Sequence, residues 1–174
     1  MLSKKLHEAM NAQINAELWS AYLYLSMSMD AEAKGLKGVA NWFAVQFKEE
    51  QDHAQIFVDY VLARGGRVTL APIAEVPCEW ESPLAAFEAT LVHEKKVTAM
   101  IDALCRQAEA DKDFATANKL VWFVDEQVEE EQNAQDIIDS LKMVDDSKMG
   151  LYMIDKELAA RTYTQASPLA TANA

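Results

Sequence analysis

The chain has 174 residues, of which 51% are hydrophobic, and a formal net charge of −12 at pH 7. That balance argues against a nucleic-acid partner, because a phosphate backbone is bound by cationic surface. No apolar run reaches the roughly 18 residues of a membrane span, and Cys78 and Cys105 match neither a zinc spacing nor a disulfide framework.

One domain with a substantial core is expected at this length. Five glycines and four prolines suit long helices better than a sheet with many turns. Two cysteines without a framework make a reduced cytoplasmic setting the expectation, and the N-terminus runs straight into an amphipathic pattern without an apolar core of signal-peptide type.

Ser3 is placed to cap a first helix. Leu6, Met10, Gln13, Glu17, Ala21, Tyr24 and Ser28 then recur at alternating steps of three and four, the mark of a helix facing a bundle. This helix is predicted over 3–33, followed by a turn between Gly35 and Gly38. A second helix carries Val39, Phe43, Gln46, Glu50, His53, Phe57 and Val61 on one face and stops at Gly65-Gly66. Residues 67–81 hold Pro72, Pro77 and Trp80 without helical period. They read as an extended crossover that makes helices two and three parallel. Ser82-Pro83 is a cap with proline at the first helical position. A third helix is predicted over 83–110, with stripe Leu84, Phe87, Leu91, Glu94, Thr98, Ile101 and Cys105. The fourth runs to about Lys142, with stripe Leu120, Phe123, Gln127, Glu130, Ala134, Ile137 and Leu141. A short fifth helix is predicted over 148–161. The remaining residues, 162–174, rich in Ala, Thr and Ser, are expected to form a mobile tail. The fold class is therefore all-α: a four-helix bundle with a long crossover between helices 2 and 3 and a short fifth helix, in one domain over 1–161.

Each stripe carries polar residues near its helix midpoint: Glu17, Glu50 with His53, Glu94, and Gln127 with Glu130. Midpoints of packed helices of equal length share one depth, so these side chains form one layer of the core. Their spacing repeats. Glu17 to Glu50 and Glu94 to Gln127 are each 33 positions; Glu17 to His53 and Glu94 to Glu130 are each 36. Two hairpins thus present Glu with Glu-x-x-His, and Glu with Gln-x-x-Glu. Buried carboxylates this close repel one another unless they take up protons. Two divalent cations would neutralise them, and oxygen-rich ligation with one nitrogen suits iron or manganese. A lone Glu-x-x-His, by contrast, is a weak signal, and one mid-stripe Glu is often a boundary residue whose stem covers the core.

At these positions the sequence resembles the bacterial non-haem ferritins. The likeness covers helices one to five and includes Asn15-Ala16-Glu17-Leu18, the run from Gln46 to His53, the run from Asp125 to Glu131, and the run from Gly150 to Leu158. Ferritin-like bundles place a Glu on each of two helices opposite Glu-x-x-His on the other two; here Gln127-x-x-Glu130 departs from that pattern. The resemblance implies an iron-storage ferroxidase in which a di-iron centre oxidises Fe(II) with O2 or H2O2, inside a shell of 24 subunits. Glu17, Glu50 and His53 match ligands of a first iron, and Glu94 and Glu130 match those of a second, with Glu50 bridging. Gln127 matches a neighbour of the second iron, and Tyr24 the tyrosine beside the centre. Glu49, Glu126 and Glu129, with Glu130, match a third iron site; an exposed acidic face would look the same in sequence. No haem is expected, since Gln51 stands where bacterioferritins carry a methionine and the second Glu-x-x-His is missing.

His7 and His93 read as surface or interface residues, Met10, Met27 and Met29 as adaptable core, and Trp19, Trp42 and Trp122 as packing anchors. Glu109, Asp111 and Asp113 could line an entry pore or form a plain solvated turn. Two competing readings remain: a non-storage di-iron oxidase or peroxidase of rubrerythrin or bacterioferritin type, and a purely structural bundle. The sequence gives no redox partner for iron release.

Overall fold

Four helices begin on a side chain that satisfies their first free backbone amides. Ser3 accepts from Leu6 N, Ser82 from Ala85 N, Asp113 from Thr116 N and Ser147 from Gly150 N, each at 3.1 Å. The computed structural model describes residues 1–170. It contains α1 (Lys4–Ala33), α2 (Lys37–Ala63), α3 (Pro83–Ala110), α4 (Phe114–Val144), α5 (Lys148–Leu158) and α6 (Ser167–Ala170), with no strand among the described residues. Gly35 and Gly65 end α1 and α2 at φ +79° and +72°, the left-handed conformation that glycine adopts without a Cβ clash.

Hairpins α1–α2 and α3–α4 pack into a four-helix bundle whose apolar core lies on both sides of the polar layer. Met10, Ile14, Phe57, Ile101 and Phe123 fill one end, and Tyr24, Met27, Phe43, Phe87 and Ile138 the other. The expected long crossover is present, and α1 holds it in place. Asn11 Oδ1 accepts from Thr69 N at 2.6 Å, Asn15 donates to Ala71 O at 3.2 Å, and Trp19 to Glu75 O at 3.4 Å. Further along, Ser26 donates to Pro77 O at 2.7 Å, and Trp80 N donates to Asp30 at 3.2 Å. These α1 residues are mostly four apart, so one face of α1 satisfies a segment that lacks a ladder of its own. The crossover starts beside His7 and ends beside Asp30, so it spans the bundle and α2 and α3 run parallel.

α5 lies across the start of α2. Leu36, the α2 N-cap, offers no side-chain bond; instead Asp155 Oδ1 accepts from Gly38 N at 2.8 Å and from Val39 N at 2.9 Å. A Cβ on Gly38 would lie 1.5 Å from Asp155 O, so only glycine allows this approach. α5 ends at Leu158, three residues short of its expected end. No α5 residue is buried, and Met149, Tyr152 and Met153 are exposed.

The segment expected to be a mobile tail from 162 is packed along α2 as far as it is described. Tyr163 OH and Ala166 N donate to Asp52 Oδ2 at 2.8 and 2.9 Å, and Leu169 is buried in the cluster with Ile56 and Phe57. Its composition gave no sign of this, because the anchor is one carboxylate on α2 and one leucine. Residues 171–174 lie outside the described part. Met10 and Met27 are core as expected, whereas Met29 is exposed. Ser3 Oγ donates to Asp111 at 2.5 Å and Arg64 pairs with Asp113 at 2.8 Å, so these two acids tie the α3–α4 turn to the ends of α1 and α2.

Candidate metal centre

Glu17, Glu50, His53, Glu94, Gln127 and Glu130 are all buried, between 1% and 4% exposed. The helices carry all six into the buried core. Ligand atoms of Glu17, Glu50 and His53 lie within 4.8 Å of one another, and so do those of His53, Glu126 and Glu130. His53 belongs to both groups, with Nδ1 3.5 Å from Glu50 Oε2 and Nε2 3.7 Å from Glu126 Oε1.

The second half is held by hydrogen bonds. Tyr24 donates its hydroxyl to Glu94 Oε1. Gln127 Nε2 donates to Glu94 Oε2 at 3.2 Å and lies 3.3 Å from Thr98 Oγ1. Gln46 Nε2 donates to Glu130 Oε2 at 2.6 Å, and Gln13 Nε2 to Glu17 Oε1 at 2.8 Å. A groove of about 500 Å³ between α3 and α4, lined in part by Thr98, Gln127 and Glu131, reaches this side of the layer.

Burial dominates the electrostatics. It raises Glu17 from its ordinary value and Glu50 well above it, against the counter-pull of His53 on both. It pushes Glu94 up to about 7, opposed by the bonds from Tyr24 and Gln127. Burial, reinforced by the charge of Glu94, pushes Glu130 up to about 8. His53 runs the other way: burial alone would lower it, but Glu126 and Glu50 hold the imidazole well above its ordinary value. The layer is therefore proton-rich at neutral pH, as expected where carboxylates crowd without a countercharge.

One atom has no partner. Glu17 Oε2 is the buried side-chain oxygen left unbonded among the described residues. An orphaned buried carboxylate oxygen is costly, and a cation between Glu17, Glu50 and His53 would satisfy it. Carboxylate oxygens with one imidazole nitrogen match hard to borderline divalent ions, so the donor set fits iron.

The acidic residues expected beside this layer are only partly assembled. Glu126 joins His53 and Glu130, Glu129 is exposed, and Glu49 is paired with Arg161 at 2.5 Å. His93 is half-buried between α1 and α3, 2.7 Å from Ser20 Oγ and 5.2 Å from the Trp19 ring, and burial lowers it to about 4. Trp42 and Trp122 pack as expected, Trp122 edge-on to His53 at 5.5 Å.

The Ferritin-like domain family matches residues 7–144. The chain belongs to the ferritin family. It is 45% identical over 161 residues to a bacterial non-heme ferritin of Bacteroides fragilis (strain 638R), covering 92% of this chain and all of that one. It is 38% identical over 165 residues to a bacterial non-heme ferritin of Staphylococcus aureus (strain USA300), covering 95% of this chain and 99% of that one. Among solved structures, an open pore ferritin from Archaeoglobus fulgidus superposes with a TM-score of 0.92 at 51% identity, covering 93% of this chain and all of that one. Ferritin-like architecture, with its short helix after the bundle, is thus established for this chain. No helix among its described residues is long and apolar enough to cross a membrane.

Sequence reasoning gave Gln13 and Gln46 no role, although both lie on the ferritin stripes. The signal was present: they precede Glu17 and Glu50 by four residues each and are themselves 33 apart, which extends the repeat by one turn. Arg161 carried no such signal.

Proposed function

We propose that the chain stores iron and acts as a ferroxidase, taking Fe(II) as substrate at the buried layer. The observation that carries this reading is the unbonded Glu17 Oε2 beside Glu50 and His53, in a layer of carboxylates too crowded to be ionised together without cations. Glu17, Glu50 and His53 would take one Fe(II), and Glu94 and Glu130 a second, with Glu50 between them. Each ion gives one electron; the pair reduces O2 to H2O2, or H2O2 to water, with protons taken up by the oxidant. The protein binds the two ions side by side, displaces the protons its acids carry, and keeps the pair in a site screened from bulk water. Gln13, Gln46, Gln127 and Tyr24 fix the carboxylate orientations, which sets ligand geometry before metal arrives. Glu126 and Glu129 would take iron leaving the layer.

Storage requires a container. A cytoplasmic homo-oligomeric shell of 24 subunits fits the exposed apolar residues of α5, which a lone chain leaves in water. The relatives named non-heme ferritin and the open pore ferritin structure support the same reading. The test is aerobic Fe(II) addition to purified protein, following ferric absorbance and particle size together. Rapid oxidation with soluble iron retained in a particle of several hundred kilodaltons is expected. Oxidation without retention would favour a non-storage di-iron oxidase, and no oxidation would leave a structural bundle.

A further inference from the structure

After α5 the chain turns back along α2, and its first residue there reaches towards the metal layer. The Arg161 guanidinium stacks on Trp42, 4.5 Å from the ring centroid. Its Nη2 donates to Glu49 Oε2 at 2.5 Å, and its Nη1 to Gln46 Oε1 at 2.8 Å and Trp42 O at 3.3 Å. Gln46 passes this contact inward. With Oε1 taken by Arg161, its Nε2 faces Glu130 Oε2 at 2.6 Å. The backbone of Arg161 is held by Asn41 Nδ2 at 2.9 Å. Beyond it, Tyr163 and Ala166 bind Asp52 and Leu169 is buried against the bundle.

We propose that Arg161 is a tethered cation that holds Glu49 against iron and positions Gln46 on Glu130, with residues 162–169 as the strap that sets its place. The proposal rests on the metal reading of the site given above. Arg161 and a metal ion compete for the Glu49 carboxylate, so iron bound through the oxygen that Arg161 occupies would displace the guanidinium from it. That displacement also frees Gln46 to rotate, and Glu130 then loses its donor. A cation in the outer acidic cluster and the hydrogen bond on a ligand of the buried layer are thereby coupled through one side chain, and the coupling is reciprocal. The strap makes Arg161 effectively a high local concentration of competing cation. Arg161 is a positioning residue in this scheme; it touches no buried ligand directly.

The test counts and ranks metal sites with redox-silent Zn(II), by titration calorimetry on the assembled protein. Arg161→Gln should tighten the outer site about tenfold, the worth of one well-placed charged hydrogen bond, and adding Glu49→Gln should abolish that gain. Arg161→Lys, which keeps the charge but not the fork, should leave the outer site near wild type. A chain ending at residue 161, and Asp52→Asn in the full chain, should each tighten it by a smaller factor, because Arg161 remains but its strap is released. These two variants also carry the test if Arg161→Gln does not assemble. Unchanged or weaker outer-site binding in the released variants would overturn the proposal. The metal reading itself is judged separately, by whether Glu50→Ala removes Zn(II) from the buried layer of the wild-type background.

Discussion

His53 Nδ1 lies 3.5 Å from Glu50 Oε2, both side chains 3% exposed and three residues apart on α2. The pair has Glu17 on one side and Glu126 on the other, and His53 is the junction of both candidate ligand groups. Glu50→Ala or His53→Ala is therefore expected to slow Fe(II) oxidation by roughly tenfold to a hundredfold or more, on the scale of losing groups that shape a metal site. Neither residue reaches the surface, so particle size by gel filtration should stay at the wild-type value. Wild-type oxidation rates in both variants would remove the layer from the chemistry.

The proton load of the layer gives a pH dependence of definite sign. Glu94 and Glu130 are raised to about 7 and about 8. A group raised on folding contributes stability that is complete below its unfolded value and is lost as pH rises through its folded value. His53, held well above 6.5, acts in the same direction. The Tm of the metal-free protein should therefore fall between about pH 5 and pH 8. Divalent metal displaces those protons, so the gain in Tm from saturating Zn(II) should grow across the same window. A gain independent of pH would mean that the carboxylates are already ionised without metal.

How far this was legible in the sequence depends on whether a residue's partner lies on a periodic element. Glu17, Glu50, Glu94 and Gln127 could be placed at one depth because each sits mid-stripe, and caps such as Ser3 and Ser82-Pro83 marked helix starts to within a residue. Gln46 was visible on its stripe, but its partner Glu130 was not, because the choice between Glu50 and Glu130 is made by rotamer and cross-helix distance. Arg161 and Glu49 are separated by 112 positions, and Arg161 stands at the expected end of the fifth helix, so nothing local foretold the contact. Trp19 reads as a packing anchor and Asn11 and Asn15 have no partner in the pattern, since a helix pattern cannot show that an irregular segment will lie on it.

The seat of α5 depends on Gly38. Any Cβ there would meet Asp155 O at 1.5 Å, a backbone atom that cannot rotate away. Gly38→Ala should unseat α5 and take with it both the cap on α2 and the start of the strap at Arg161. Asp155→Ala removes only the carboxylate that accepts from Gly38 and Val39, and should cost about 1 kcal/mol, the usual worth of a helix cap. Thermal unfolding with gel filtration distinguishes the two: Gly38→Ala should lose assembly, whereas Asp155→Ala should lower Tm by a few degrees with assembly kept. Equal behaviour of the two variants would mean that the close approach is not what fixes α5.

The acidic residues outside the buried layer differ in how they are placed, and iron handling should follow that difference. Glu126 lies 3.7 Å from His53 Nε2 and groups with Glu130, whereas Glu129 is exposed and joins no such ligand group among the described residues. Iron leaving the centre would meet Glu126 first, because that residue shares His53 with the layer. Glu126→Ala should therefore change both the rate of second turnover and the ratio of Fe(II) oxidised per O2 consumed. Glu129→Ala should change the ratio less and leave the first oxidation at its wild-type rate. Stopped-flow absorbance with an oxygen electrode reads both quantities in one titration. If Glu129→Ala has the larger effect, the outer site is built from side chains that rearrange when iron binds, and Glu126 serves mainly to hold the His53 ring in the orientation that Glu50 shares.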